Sequence, residues 1–314
     1  MLNHPHRPLR TGKSYQLRFT NDGLHLVSFA RDMAFWSLTA RKKIAFAHPL
    51  KHPAFVDISP DGASFIVKNT SGSIRQISIP ELQTLRSFEA LSIDSAGCEV
   101  VFSPCGEYFI DGTWDGILCV RRLADGNPAS IERQPGVMIV RLCTTIKRDV
   151  FAYVVQPIAK NPEPPDTSRV AIRKWPFEAN PPTYLENDWG YVHDVALSPD
   201  GSRLAVQQTD KSVGQTLEVH SLQRGFGHAL TRSVVWRGTS WSIAWSPDGN
   251  YIACIEEGRA SLFDTSTLDF IGEYQLPYPC HVEFSPDGQS LAIGSWKKGA
   301  LVAVVELISG NSLD

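Results

Sequence analysis

The residue types most able to do chemistry in this 314-residue chain stand in few reactive arrangements. There is no Gly-x-Ser-x-Gly elbow, no phosphate-cradling Gly-x-x-x-x-Gly-Lys-Ser/Thr loop and no His-Glu-x-x-His metal helix. His4 and His6 could hold a metal ion as a pair, but they sit in a proline-punctuated opening and read as solvated. Glu256 and Glu257 could trade a proton if they shared one. Adjacent strand residues point to opposite faces, so they read as an exposed turn. The six cysteines form no Cys-x-x-Cys pair, and several, such as Cys254, lie inside apolar runs. That usage fits reduced core thiols in a cytoplasmic protein better than a disulfide framework. No cofactor and no metal are expected. A net charge of -3 argues against a partner bound by phosphate neutralisation. No apolar signal core and no run of about 18 apolar residues is present, so no membrane segment is expected.

The elements that would position these residues follow from a repeat. Ser-Pro-Asp-Gly occurs at 59–62, 198–201, 246–249 and 285–288, as Ser-Pro-Cys-Gly at 103–106 and as Thr-Asn-Asp-Gly at 20–23. Proline presets φ for a type I turn, and glycine takes the left-handed position that closes a hairpin. The glycines at 23, 62, 106, 201, 249 and 288 are separated by 39, 44, 95, 48 and 39 residues. A gap of 95 holds two repeats, one with a degenerate turn placed at 144–149 between two apolar runs. The mean period is about 44 residues, that of a propeller blade. Seven repeats follow, each read as four short strands, a to d, with the turn between a and b. The fold class is therefore all-β: one seven-bladed β-propeller of four-stranded antiparallel blades over 1–314. The last repeat is short of residues. Part of 7–13 is accordingly expected to supply its outer strand and close the ring. The proline-rich stretch 156–169 reads as an extended b–c loop of blade 4.

On these turns the chain resembles the WD-repeat family. Gly112-Thr113-Trp114-Asp115-Gly116 and Ile293-Gly294-Ser295-Trp296-Lys297-Lys298 look like that family's b–c turns. Phe35-Trp36-Ser37 and Leu262-Phe263-Asp264 stand where its Trp-Asp pair falls. No repeat carries a true Trp-Asp or a Gly-His before strand a. The same tetrapeptide also occurs in TolB-like and lactonase-like propellers.

The resemblance implies where a site would lie. Counting five residues back from the residue that opens each turn gives Tyr15, Ala54, Cys98, Met138, His193, Trp241 and Cys280. In a propeller of this kind these stand at the channel mouth, on the face opposite the turns. The set holds no carboxylate. Trp114 and Trp296 fall in b–c turns of the same face, and Trp189, Tyr191 and Tyr278 in d–a loops, with lysines such as Lys13, Lys51, Lys297 and Lys298 around them. Trp and Tyr are enriched at binding hot spots. The expectation is a non-enzymatic protein-binding platform: a scaffold, a complex subunit or an inhibitor of the immunity type. It would bind through Tyr15, Trp114, Trp189, Tyr191, His193, Trp241, Tyr278, Trp296 and Lys297. The partner expected is another protein, acidic or bearing a hydrophobic anchor, with no nucleic acid and no membrane. The chain itself is expected as a monomer or a subunit of a hetero-complex. The alternative is a propeller hydrolase, lactonase-like or peptidase-like, with its site in the channel.

Overall fold

The computed structural model describes residues 9, 11–30, 32–92, 97–145, 150–158, 168–176, 180–185, 189–210, 214–222, 227–233, 242–297 and 299–305. Seven antiparallel sheets follow one another along the chain, and no helix occurs among the described residues. Blades 1 to 7 span 16–47, 53–88, 97–133, 137–184, 191–233, 243–275 and 279–304. The strand that opens each blade touches the opening strands of both neighbours, and the cycle closes from Pro279–Phe284 back to Gln16–Phe19. These are the inner walls of a ring.

Each turn forms because its side chains satisfy its own backbone. In blade 5 the Ser198 hydroxyl donates to Asp200 at 2.6 Å and accepts the Arg203 N–H at 2.9 Å. Gly201 donates back to the Ser198 carbonyl at 2.8 Å with φ at +66°. The same bonds recur around Ser59, Ser246 and Ser285. Burial pushes Asp200 up, but the Ser198 and Ser202 hydroxyls and the Ser202 N–H more than offset it and leave its pKa at about 2. In blade 4 the opening strand runs to Thr145, two residues beyond the sequence reading, and 146–149 lie outside the described residues.

The core is divided among the junctions. Seven apolar clusters each join two neighbouring blades, for example Phe65 and Val67 of blade 2 with Val27, Phe29 and Phe35 of blade 1. A fully buried side chain of this size contributes roughly 1.5–3 kcal/mol. Between blades 2 and 3 the buried Lys68 ammonium donates to Asp111 and to the Gly112 carbonyl, both at 2.6 Å. Blade 7 has three strands of its own. Leu9 supplies the place of the fourth: its N–H donates to the Ala300 carbonyl at 2.7 Å, and its side chain is buried against blades 1 and 7. The expected closure is observed at this residue, while residues 1–8 and 10 lie outside the described set. So does most of 156–169, of which the ends adjoin the second and third strands of blade 4. Among the described residues no helix is long and apolar enough to cross a membrane.

Candidate functional site

The channel differs from its sequence reading. The position five before the turn is where the opening strand bulges. Ala54, His193 and Cys280 are each the extra residue of a register shift, as is Val140 in blade 4, not Met138. A bulge re-aims side chains. His193 is buried and meets the Thr209 hydroxyl at 2.7 Å, and Cys280 is buried with its thiol on the Ser14 carbonyl at 3.0 Å. Burial holds the His193 imidazole down at about 3, so it is neutral.

The wall is instead lined from the positions two and four before the turn, and these carry the carboxylates the sequence reading did not find. Arg18 and Glu283 at the first position, and Glu99, Arg141 and Asp194 at the second, line a cavity of about 370 Å³, and Asp57 also holds the first position, beside Arg18. Arg18 lies 3.9 Å from Asp57 and 3.7 Å from Glu283; Arg141 lies 3.6 Å from Glu99 and 3.4 Å from Asp194. Each arginine thus sits between acids of the blades on either side of it.

These acceptors hold the ring together. The inner edge of each opening strand has no strand to pair with, so its N–H groups need other partners. Gln16 accepts the Val56 N–H at 2.9 Å, Asp57 that of Phe102 at 2.8 Å, and Glu99 that of Leu142 at 2.7 Å. Asp194 accepts the Ile243 N–H at 2.9 Å and the Ser242 hydroxyl that of Val282 at 3.1 Å. The Leu197 N–H reaches Cys143, and the Phe19 N–H reaches Glu283. Five junctions have one such hydrogen bond, running from a blade to its successor, and the Arg141–Asp194 and Arg18–Glu283 pairs span the other two. Burial pushes Glu99 and Glu283 up to about 7 against the pull of Arg141 and Arg18, and it also raises Asp57 and Asp194. Burial, with Arg18 beside it, keeps His281 neutral. Among the described residues no three His, Cys, Asp or Glu side chains stand together as metal ligands.

The loop face brings four of the expected residues together where blade 7 meets blade 1. The Tyr15 and Trp296 rings lie 4.2 Å apart, the Lys297 ammonium stands 4.1 Å over the Tyr278 ring, and the Trp296 N–H donates to the Tyr278 carbonyl at 3.0 Å. Tyr278 is 55% exposed, Trp296 39% and Trp114, on blade 3, 48%. Tyr191 is half-buried on blade 5 beside His193. Trp189 is a correction: it is 2% exposed and fills the space between blades 4 and 5 against Val154 and Val170. Neither Trp189 nor His193 can present a surface to a partner. Glu256 is also buried, held by Ser261 and Arg259, and is not part of an exposed turn. Trp241 and Lys298 lie outside the described residues.

No protein-family model and no curated protein matches the chain. Solved structures do. Kuenenia stuttgartiensis hydrazine synthase superposes with a TM-score of 0.79 at 13% identity, over 98% of this chain and 99% of that one. The Myceliophteria thermophila Cps50 (Swd1) beta-propeller domain gives 0.75 at 13%, over 96% and 99%. Likeness at this identity shows the fold: the chain is a seven-bladed β-propeller.

Proposed function

We propose that this propeller is a non-enzymatic platform that binds another protein through its loop face, opposite the Ser-Pro-Asp-Gly turns. The observation that carries the reading is the exposed aromatic set Tyr278, Trp296 and Trp114 with Lys297, on a rigid ring whose channel carboxylates are already engaged in blade-to-blade bonds. Large exposed aromatics cost solvation and act as anchors once desolvated. The likeness to a WD-repeat-like propeller domain is in keeping with this reading. Charge supports it further: Lys13, Lys51 and Lys297 are exposed on the loop face, while Asp22, Asp61, Asp200, Asp248 and Asp287 occupy the turns. Such a dipole steers an acidic partner.

The test compares wild type with Trp114→Ala/Trp296→Ala in an affinity capture from native-host lysate. The double variant should melt within about 1 °C of wild type, because surface truncations away from the core shift stability by under about 0.5 kcal/mol. It should lose a stoichiometric partner. A partner held equally by both proteins, or none at all, would overturn the reading.

A further inference from the structure

We infer that the groove between blades 7 and 1 takes an extended acidic peptide segment that carries one bulky apolar side chain. This deepens the platform reading and rests on it.

The groove originates in side-chain size. On the face of blade 1 turned toward blade 7, one cross-strand row runs Leu17, Ser28, Ala34, Phe46. The row below it is filled by Phe19, Leu26 and Trp36 against Ala292 and Ala300 of blade 7. Ser28 and Ala34 are too small to fill the row above, and Trp36 is fixed beside them by its indole N–H on the Ser28 hydroxyl at 2.9 Å. A cavity of about 930 Å³ remains, its far wall completed by His52, Pro53, Ala54 and Thr70 at the loop end of blade 2. It shares Tyr15, Ala54 and Trp296 with the channel mouth, so the two adjoin.

Length and charge name the occupant. The groove runs from Tyr15, just before the inner strand of blade 1, across the second and third strands to Lys43 and Phe46 on the outer one. Three inter-strand spacings are about 14 Å, the reach of about four extended residues. Both ends are aromatic: Tyr15 with Trp296 inside, and Phe46, 47% exposed, outside. The apolar centre suits one large side chain. Lys13 and Lys43 line the two ends, and Lys43 stands 4.8 Å over the Phe46 ring. Asp32 is the acid among the described lining residues, and it meets His48 at 2.5 Å. A strip with lysines at its ends and an apolar centre complements a chain with acids flanking an aromatic. Lysines act as point charges toward an anionic chain.

The probe is the fluorescein-labelled peptide Asp-Glu-Asp-Trp-Leu-Asp-Glu, read by anisotropy at about 50 mM salt, where unscreened lysines matter most. Wild type should bind it. Lys13→Glu/Lys43→Glu should raise Kd at least about tenfold, consistent with loss of two rim charges. Ala34→Phe, which fills the floor, should do the same. Arg122→Glu, on the turn face, should leave Kd within about twofold, since it adds the same kind of charge far from the groove. No binding by wild type, binding unchanged by the Lys13/Lys43 reversal, or equal affinity for a 12-nucleotide poly-uridine would overturn the assignment. The two readings fail separately. If the lysate partner is lost in Trp114→Ala/Trp296→Ala but kept by the charge reversal, the groove is overturned and the platform stands. If it is kept by both, the platform falls as well.

Discussion

The two faces of the ring spend their residues differently. On the turn face one short motif is repeated, and almost every polar atom in it bonds within the motif: serine to aspartate, glycine to serine, and the backbone after the glycine to aspartate. On the loop face the described residues vary from blade to blade, and the two b–c turn tryptophans, Trp114 and Trp296, stand in different surroundings. Trp114 stands alone on blade 3, a cluster of three aromatics joins blades 7 and 1, and blade 5 keeps Tyr191 half-buried beside His193. Repeated, self-satisfied chemistry marks what folds the chain. Unrepeated, solvent-facing chemistry marks what is free to recognise something else.

The sharpest break in this comparison is a loop-face position whose role is structural. Gly116, in the turn that carries Trp114, has φ at +79°, and a Cβ there would stand 2.1 Å from the Gln134 carbonyl oxygen. Gly116→Ala is expected to cost about 3 kcal/mol or more, because backbone strain and a steric clash add. Gly136→Ala, at φ +77° with nothing within 4 Å, is the control and should cost about 1 kcal/mol. Equal melting temperatures for the two would show that the clash is relieved by movement of the turn.

On the turn face, Gly201→Val places a β-branched residue at φ +66° and should cost roughly 2 kcal/mol, read as a fall in the denaturation midpoint. An unchanged midpoint would deny that the turn geometry is what the motif supplies.

The smallest effect separates the channel from the turns by pH. Glu99 and Glu283 hold folded pKa values of about 7 against a reference of 4.5. Their contribution is therefore complete below about pH 4.5 and is lost as pH rises through about 7. The turn aspartates are depressed, Asp200 to about 2 from 3.8, so theirs is present above about pH 4 and lost as pH falls toward about 2. Stability from these groups should peak near pH 5. Both glutamates are about a fifth exposed to the channel, 20% and 22%. With that screening, the loss between pH 5 and 7.5 should be about 1 kcal/mol for each glutamate. Glu99→Gln/Glu283→Gln keeps an acceptor for the next blade, as Gln16 does naturally, and should flatten the slope. A slope that persists would place its origin elsewhere.

Much of this architecture is legible in the sequence, for reasons that lie in particular residues. The tetrapeptide is a local structure, so its φ requirements are written in proline and glycine. The blades counted from it are the blades observed. Leu9 closes the ring because an unpaired outer strand position is a general cost, whatever the sequence around it. Burial is not local. Trp189 and Tyr278 occupy equivalent connections, yet Trp189 is buried in a cluster with Val154 and Val170 of the preceding blade, and Tyr278 stays 55% exposed under the Lys297 ammonium. The channel acids were missed for a different reason. Strand alternation gives the phase of a strand only while the register is continuous, and the bulge sits five residues before the turn, where the count was made. Counting two and four residues back from Ser59, Ser198 and Ser285 stays on the regular side of the bulge and finds Asp57, Asp194 and Glu283.

The channel bonds between successive blades have a mechanical consequence. Five hydrogen bonds run from a blade to its successor, and the ion pairs Arg141–Asp194 and Arg18–Glu283 span the remaining two junctions, the second of them where blade 7 returns to blade 1. They act as a hoop: spreading one pair of blades lengthens the circumference, and the load is shared by the other joints in the loop. A pull on a single outer strand is therefore resisted at the axis, and the rim can carry a load while the bore keeps its diameter.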